Sequence, residues 1–138
     1  MKTLLLIMIF SGFASFMQNP DTWEIRRGKK ILLKGREQDP VATITLSSSD
    51  TSSMVIIYKE APSNIKWKRE FNFKNKADSM VLSYSFTYSS GKFSLPCKEI
   101  NGLIARHGSL TLFTEQHPAN EEMMIRSKIQ ALAVFQIK

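Results

Sequence analysis

The sequence predicts an all-β domain, an antiparallel β-sandwich of about seven to nine strands with one or two short helical connections. Three observations carry that expectation. Apolar and polar residues alternate with period two through most of residues 22–137. Clusters of turn-forming residues interrupt the alternation at spacings of roughly 8–12 residues. The chain has 138 residues, 43% of them hydrophobic, which is the size of one domain able to bury its own core. A closed β-barrel satisfies the same pattern and is the alternative; its interior would hold an apolar ligand.

The chain opens on an address rather than a fold element. Lys2 precedes the apolar run Leu4-Leu5-Leu6-Ile7-Met8-Ile9-Phe10, and small residues follow at Gly12 and Ala14. This is the pattern of a secretory signal peptide over residues 1–14, which leaves 15–138 as a single domain. The run is shorter than the ~20 apolar residues a spanning helix needs, so no transmembrane span is expected. The expected location is therefore the periplasm or the medium.

In the remaining chain, Trp23 and Ile25 alternate with Glu24 and Arg26, and Ile31 and Leu33 repeat the pattern beyond Gly28, giving a hairpin over 22–34. Ala42, Ile44 and Leu46 share one face of the next strand. Met54-Val55-Ile56-Ile57-Tyr58 is apolar on both faces, as suits a central strand. Trp67, Phe71 and Phe73 alternate with Lys68, Glu70, Asn72 and Lys74. Leu82, Tyr84, Phe86 and Tyr88 follow, then Phe93 and Leu95 after a Ser-Ser-Gly turn. Ile100, Leu103 and Ile104 recur at helical spacing between Pro96 and Gly108, which predicts a short helix. Leu110–Thr114 and Ile129–Ile137 are the last strands. Between them Pro118–Arg126 has acids early and Arg late, as a second short helix would.

Little in this sequence points to catalysis. There is no Gly-x-Ser-x-Gly elbow, no His-Glu-x-x-His, no glycine-rich phosphate loop and no calcium-loop pattern. Ser47–Ser53 resembles a metal loop only superficially, because Met54 stands where its last ligand belongs. One cysteine excludes a disulfide framework and multi-cysteine metal sites, and Cys97 is expected to be a small buried filler. His107 and His117 form a pair without an evident third ligand, so no metal is expected. Nor is any cofactor.

The charge is more informative. Nineteen Lys and Arg against twelve Asp and Glu give a net +7. Arg26, Arg27, Lys29, Lys30, Lys34 and Arg36 crowd the first hairpin, with Trp23 as a nearby aromatic. They suit an anionic partner outside the cytoplasm: an acidic protein, a glycan or a lipid headgroup, with nucleic acid not expected after export. The competing reading is that these cations only protect a strand edge from pairing with other chains. Arg69 shares a strand face with Trp67, Phe71 and Phe73. There it is either held in a structural ion pair, stacked on Trp67 or at the rim with its head reaching water, or it serves as the anion-binding floor of a pocket that Trp67 lines.

From Trp67-Lys68-Arg69-Glu70, through Ser109-Leu110-Thr111-Leu112-Phe113-Thr114 and His117-Pro118-Ala119-Asn120, to Met124-Ile125-Arg126-Ser127-Lys128, the order of features resembles a loose group of small, uncharacterised, secreted β-rich proteins of Gram-negative bacteria. Their shared pattern is a Trp-x-Arg strand, a short helix, a strand ending in aromatic-Thr, and a Pro-led acidic helix entering a final hydrophobic strand. The resemblance covers roughly half of the mature chain. Asn120 departs from the Asp-Pro of the pattern, and the final strand has no Cys. The resemblance implies bacterial export and assigns no activity. The sequence thus favours an exported, non-enzymatic binding module acting through the hairpin, with a carrier of a small apolar ligand as the alternative.

Overall fold

The computed structural model describes residues 20–86, 91–120, 122 and 127–138. The expected signal peptide lies outside them, as do Tyr88 and the serines of the Ser-Ser-Gly turn. The described residues form β1 (Thr22–Arg27), β2 (Lys30–Arg36), β3 (Ala42–Leu46), β4 (Ser53–Lys59), β5 (Trp67–Lys74), β6 (Met80–Phe86), β7 (Gly91–Pro96), α1 (Cys97–His107), β8 (Leu110–Pro118) and β9 (Lys128–Ile137). They build two sheets, ordered β2-β1-β4-β7 and β3-β9-β8-β5-β6. Neither sheet closes on itself. The fold is an all-β sandwich, not a barrel.

Local chemistry explains the connections. Arg27 pairs with Lys30 across a two-residue turn, and Gly28 takes its first position at φ 58°, where a side chain would be strained. Asn75 organises the β5–β6 turn by accepting hydrogen bonds on Oδ1 from the N–H groups of Ala77 and Ser79, both at 3.0 Å. Pro96 caps the start of α1 in an extended conformation, and Gly108 ends it at φ 81°.

Two expectations need correction. The sandwich is not wholly antiparallel: β3 runs parallel to β9, with Ala42 opposite Ala133 and Leu46 opposite Ile137. Alternation specifies which face a residue takes and is silent about strand direction. Pro118 does not open a helix. It ends β8, held opposite Trp67 of β5, and the N–H of Ala119 donates to the Lys66 carbonyl at 2.9 Å. Residues 121 and 123–126 of the expected second helix lie outside the described residues.

The inner faces supply the core. Trp23, Ile25, Met54, Ile56, Tyr58, Phe93 and Leu95 come from the first sheet, and Ile44, Leu46, Phe71, Phe73, Leu110, Leu112 and Phe135 from the second. The rings interlock across the gap: Phe71 meets Phe93 at 4.9 Å and Tyr58 at 5.9 Å between centroids. Ile100, Leu103 and Ile104 of α1 extend the core, and Asn101 ties the helix to the Ser47 carbonyl at 2.9 Å. The helix follows the β7 end that lies beside Ser53; the opposite end of the first sheet, at Thr22 and Lys59, is polar.

Candidate functional site

The hairpin cations divide between locations. Register places Thr22, Glu24, Arg26, Lys34 and Arg36 on the outer face of the first sheet, with Val55, Ile57 and Lys59 of β4 and Lys92 of β7. A β-bulge at Leu32 reverses the alternation of β2 and sends Ile31 to the same outer face, where it is 43% exposed. Arg27 is paired with Asp50 of the β3–β4 loop at 3.0 Å. The Asp50 carboxyl is held below its usual range by hydrogen bonds from the Ser52 hydroxyl and N–H, with Arg27 contributing. Lys29 sits in the turn and Lys30 beside it, both exposed.

On the outer face, Lys34, Arg36 and Lys59 surround an open basin of about 450 Å³ that Gly35 and Ile57 also line. Glu24 and Asp39 are its acids. Arg26 is ion-paired with Glu24, and Arg36 approaches Asp39 at 3.6 Å. Among the described residues, Lys34, Lys59 and Lys92 form no ion pair. This leaves the basin positive.

Trp23 does not offer its ring to that surface. It is 5% exposed, stacks on Tyr58 with an interplanar angle of 2°, and covers Gly35 so closely that a Cβ there would lie 2.2 Å from the indole Nε1. As the cross-strand partner of an inward-facing glycine, the indole fills the volume a side chain would otherwise take.

Arg69 is 2% exposed. Its guanidinium donates to Thr114 Oγ1 at 3.0 Å and to Gln116 Oε1 at 2.8 Å. It also faces Asp21 at 3.7 Å and Glu60 at 3.6 Å. It stacks over Tyr58, 4.0 Å from the ring centroid, rather than over Trp67. Tyr58 in turn donates to Asp21 at 2.6 Å. Burial pushes the Tyr58 hydroxyl far above its ordinary pKa; the bond to Asp21 adds to the rise and Arg69 opposes it. Above this network lies a cleft of about 310 Å³ lined by Asp21, Glu37, Glu60, Trp67, Gln116 and Lys128, among others. Trp67 therefore lines a polar cleft, and Arg69 is held by protein groups beneath it.

The two imidazoles are far apart in role as well as position. His107 is exposed at the end of α1, whereas His117 lies with Glu70 and Glu115 on the outer face of the second sheet, their donor atoms all within 4.8 Å of one another. The sequence reading missed this grouping. Glu115 and His117 share a face only because β8 runs on to Pro118, past the strand end expected at Thr114, and Glu70 joins them through the β5–β8 register. Cys97 is fully buried, and burial raises its thiol pKa, followed by the nearby Asp50 charge. No family model matches the chain, and no curated protein or solved structure does.

Proposed function

We propose that this protein is an exported, non-catalytic binding module that takes the acidic surface of another protein on the outer face of its first sheet. The observation that carries this reading is the convergence of Lys34, Arg36 and Lys59 on one basin, with Arg26 and Lys92 on the same face. Ile31, Val55 and Ile57 lie between the cations, so the face combines positive charge with branched apolar groups. That combination suits a protein partner better than a bare acidic glycan, which offers little apolar area. The interlocked rings of the core support a module over a carrier of an apolar ligand. The signal-like residues 1–14 and the resemblance to secreted Gram-negative proteins support export.

The test compares two charge reversals in pull-downs from bacterial envelope extract at low and high salt. Lys34→Glu/Lys59→Glu alters the proposed face, and Lys68→Glu/Lys76→Glu alters exposed cations on and beside β5. Each surface change is expected to shift stability by only about 0.5 kcal/mol. The expected result is a protein partner lost at high salt and with the first variant, and retained with the second. A partner indifferent to the first reversal would overturn the reading, leaving the cations as edge protection of β2. Equal binding of the two variants to anionic vesicles would assign the residual basicity to general electrostatics.

A further inference from the structure

The outer face of the second sheet has a separate chemistry. Glu70 of β5 stands directly opposite Glu115 of β8, and like charges across a rung destabilise a sheet unless a cation intervenes. His117, two residues along β8 on the same face, brings Nε2 within 3.8 Å of Glu70 Oε2 and 3.6 Å of Glu115 Oε1. Its other nitrogen, Nδ1, lies 2.9 Å from Ser127 Oγ. In the tautomer whose Nδ1–H donates to Ser127, Nε2 presents a lone pair to the two carboxylates. Three electron-rich donors then stand within 4.8 Å of one another, an arrangement that favours a cation between them.

We propose that Glu70, Glu115 and His117 bind one divalent transition-metal ion, with Zn²⁺ the best match. Bond lengths of ~2.0–2.2 Å to nitrogen and oxygen give a tetrahedron with edges of about 3.4 Å. The two edges from His117, 3.6 and 3.8 Å, need a few tenths of an ångström of contraction, and the third, between the carboxylates, lies within 4.8 Å and closes by rotation of the glutamate side chains. An octahedral ion at ~2.1 Å would need edges near 3.0 Å, a larger closure. The imidazole donor also favours zinc-like ions over magnesium or calcium. The three side chains are 26–38% exposed, so they have room to close. The fourth position faces solvent and is open to water or an anionic oxygen. Ser127 serves as the orienting partner that metal-bound histidines commonly have.

The experiment is a calorimetric Zn²⁺ titration of the purified full chain near pH 7.5, beside His117→Ala, Glu70→Gln, Ser127→Ala and His107→Ala, each checked for native circular dichroism. Co²⁺ is used in parallel, because its visible bands report a tetrahedral site. We expect one Zn²⁺ per chain, a loss of at least about tenfold in affinity with His117→Ala or Glu70→Gln, and roughly tenfold with Ser127→Ala. His107→Ala should bind as the parent does. If the parent shows no saturable binding, the cluster is a set of ion pairs to a protonated imidazole and the proposal fails. Equal affinity in the parent and His117→Ala would equally overturn it, and unchanged affinity in Ser127→Ala would remove the orienting role.

Discussion

Arg69 concentrates more of the protein's polar energetics than any other side chain described above. A guanidinium 2% exposed is tolerable because two neutral acceptors, two carboxylates and the Tyr58 ring surround it. Arg69→Met removes the cation that both Asp21 and Glu60 face and is expected to cost about 3 kcal/mol or more in urea unfolding. Arg69→Lys should recover only part of that, since an ammonium cannot reach Thr114 and Gln116 as a planar fork while stacking on a ring. An unchanged midpoint in both variants would contradict this account. Tyr58 adds a pH dependence. The folded state keeps its phenolic proton above pH ~10, where an unfolded tyrosine releases it, so this contribution is full below that pH and is lost as pH rises. In an alkaline absorbance titration, Tyr58 should ionise only together with unfolding, and Tyr58→Phe should remove that share of the signal. Phenolate appearing from Tyr58 while near-ultraviolet dichroism stays native would contradict it. Period two alone placed Arg69 inward beside Trp67 and Phe71. Its carboxylates were not legible, because Asp21 and Glu60 flank strands of the other sheet and meet Arg69 only when the sheets pack.

Among the elements, the β1–β2 ribbon shows how sequence pattern and packing diverge. Alternation identified the hairpin, its Gly28 turn and its inward Ile25. It said nothing of the bulge at Leu32, which turns Ile31 outward, or of the reason β2 carries a glycine at position 35. That glycine exists because the Trp23 indole occupies its side-chain space. Gly35→Ala should therefore cost about 1–3 kcal/mol by overpacking and shift the tryptophan emission as the indole moves. Gly102→Ala is the matched control. A Cβ there meets nothing within 4 Å, and alanine in a helix interior should stabilise by about 0.5–1 kcal/mol. Thermal melts of the two variants moving in the same direction would refute the packing argument. The basic residues of the same ribbon were all visible in sequence, but their distribution was not. Arg27 turned out to hold the β3–β4 loop, while Lys59 and Lys92, from distant strands, complete the positive face.

At the scale of the molecule, the sandwich has two outer faces of different character. One combines cations with branched apolar groups; the other carries a histidine between two carboxylates. The fold class and the identity of most strands were legible because a half-buried strand must alternate. The long-range pairings were not, since register and direction depend on which strands become neighbours. The pairing of β3 with β9 has a consequence for how the protein is made. Residues 42–46 are made well before β9, the strand that satisfies one side of their backbone, and β9 lies inside its sheet between β3 and β8. Loop closure of that length is slow and must precede the contacts that reward it. A growing chain therefore holds an exposed, β-prone segment until β9 has been made. Under the proposed export this delay would be useful, because a chain whose sheet is unfinished can be threaded across a membrane before it folds.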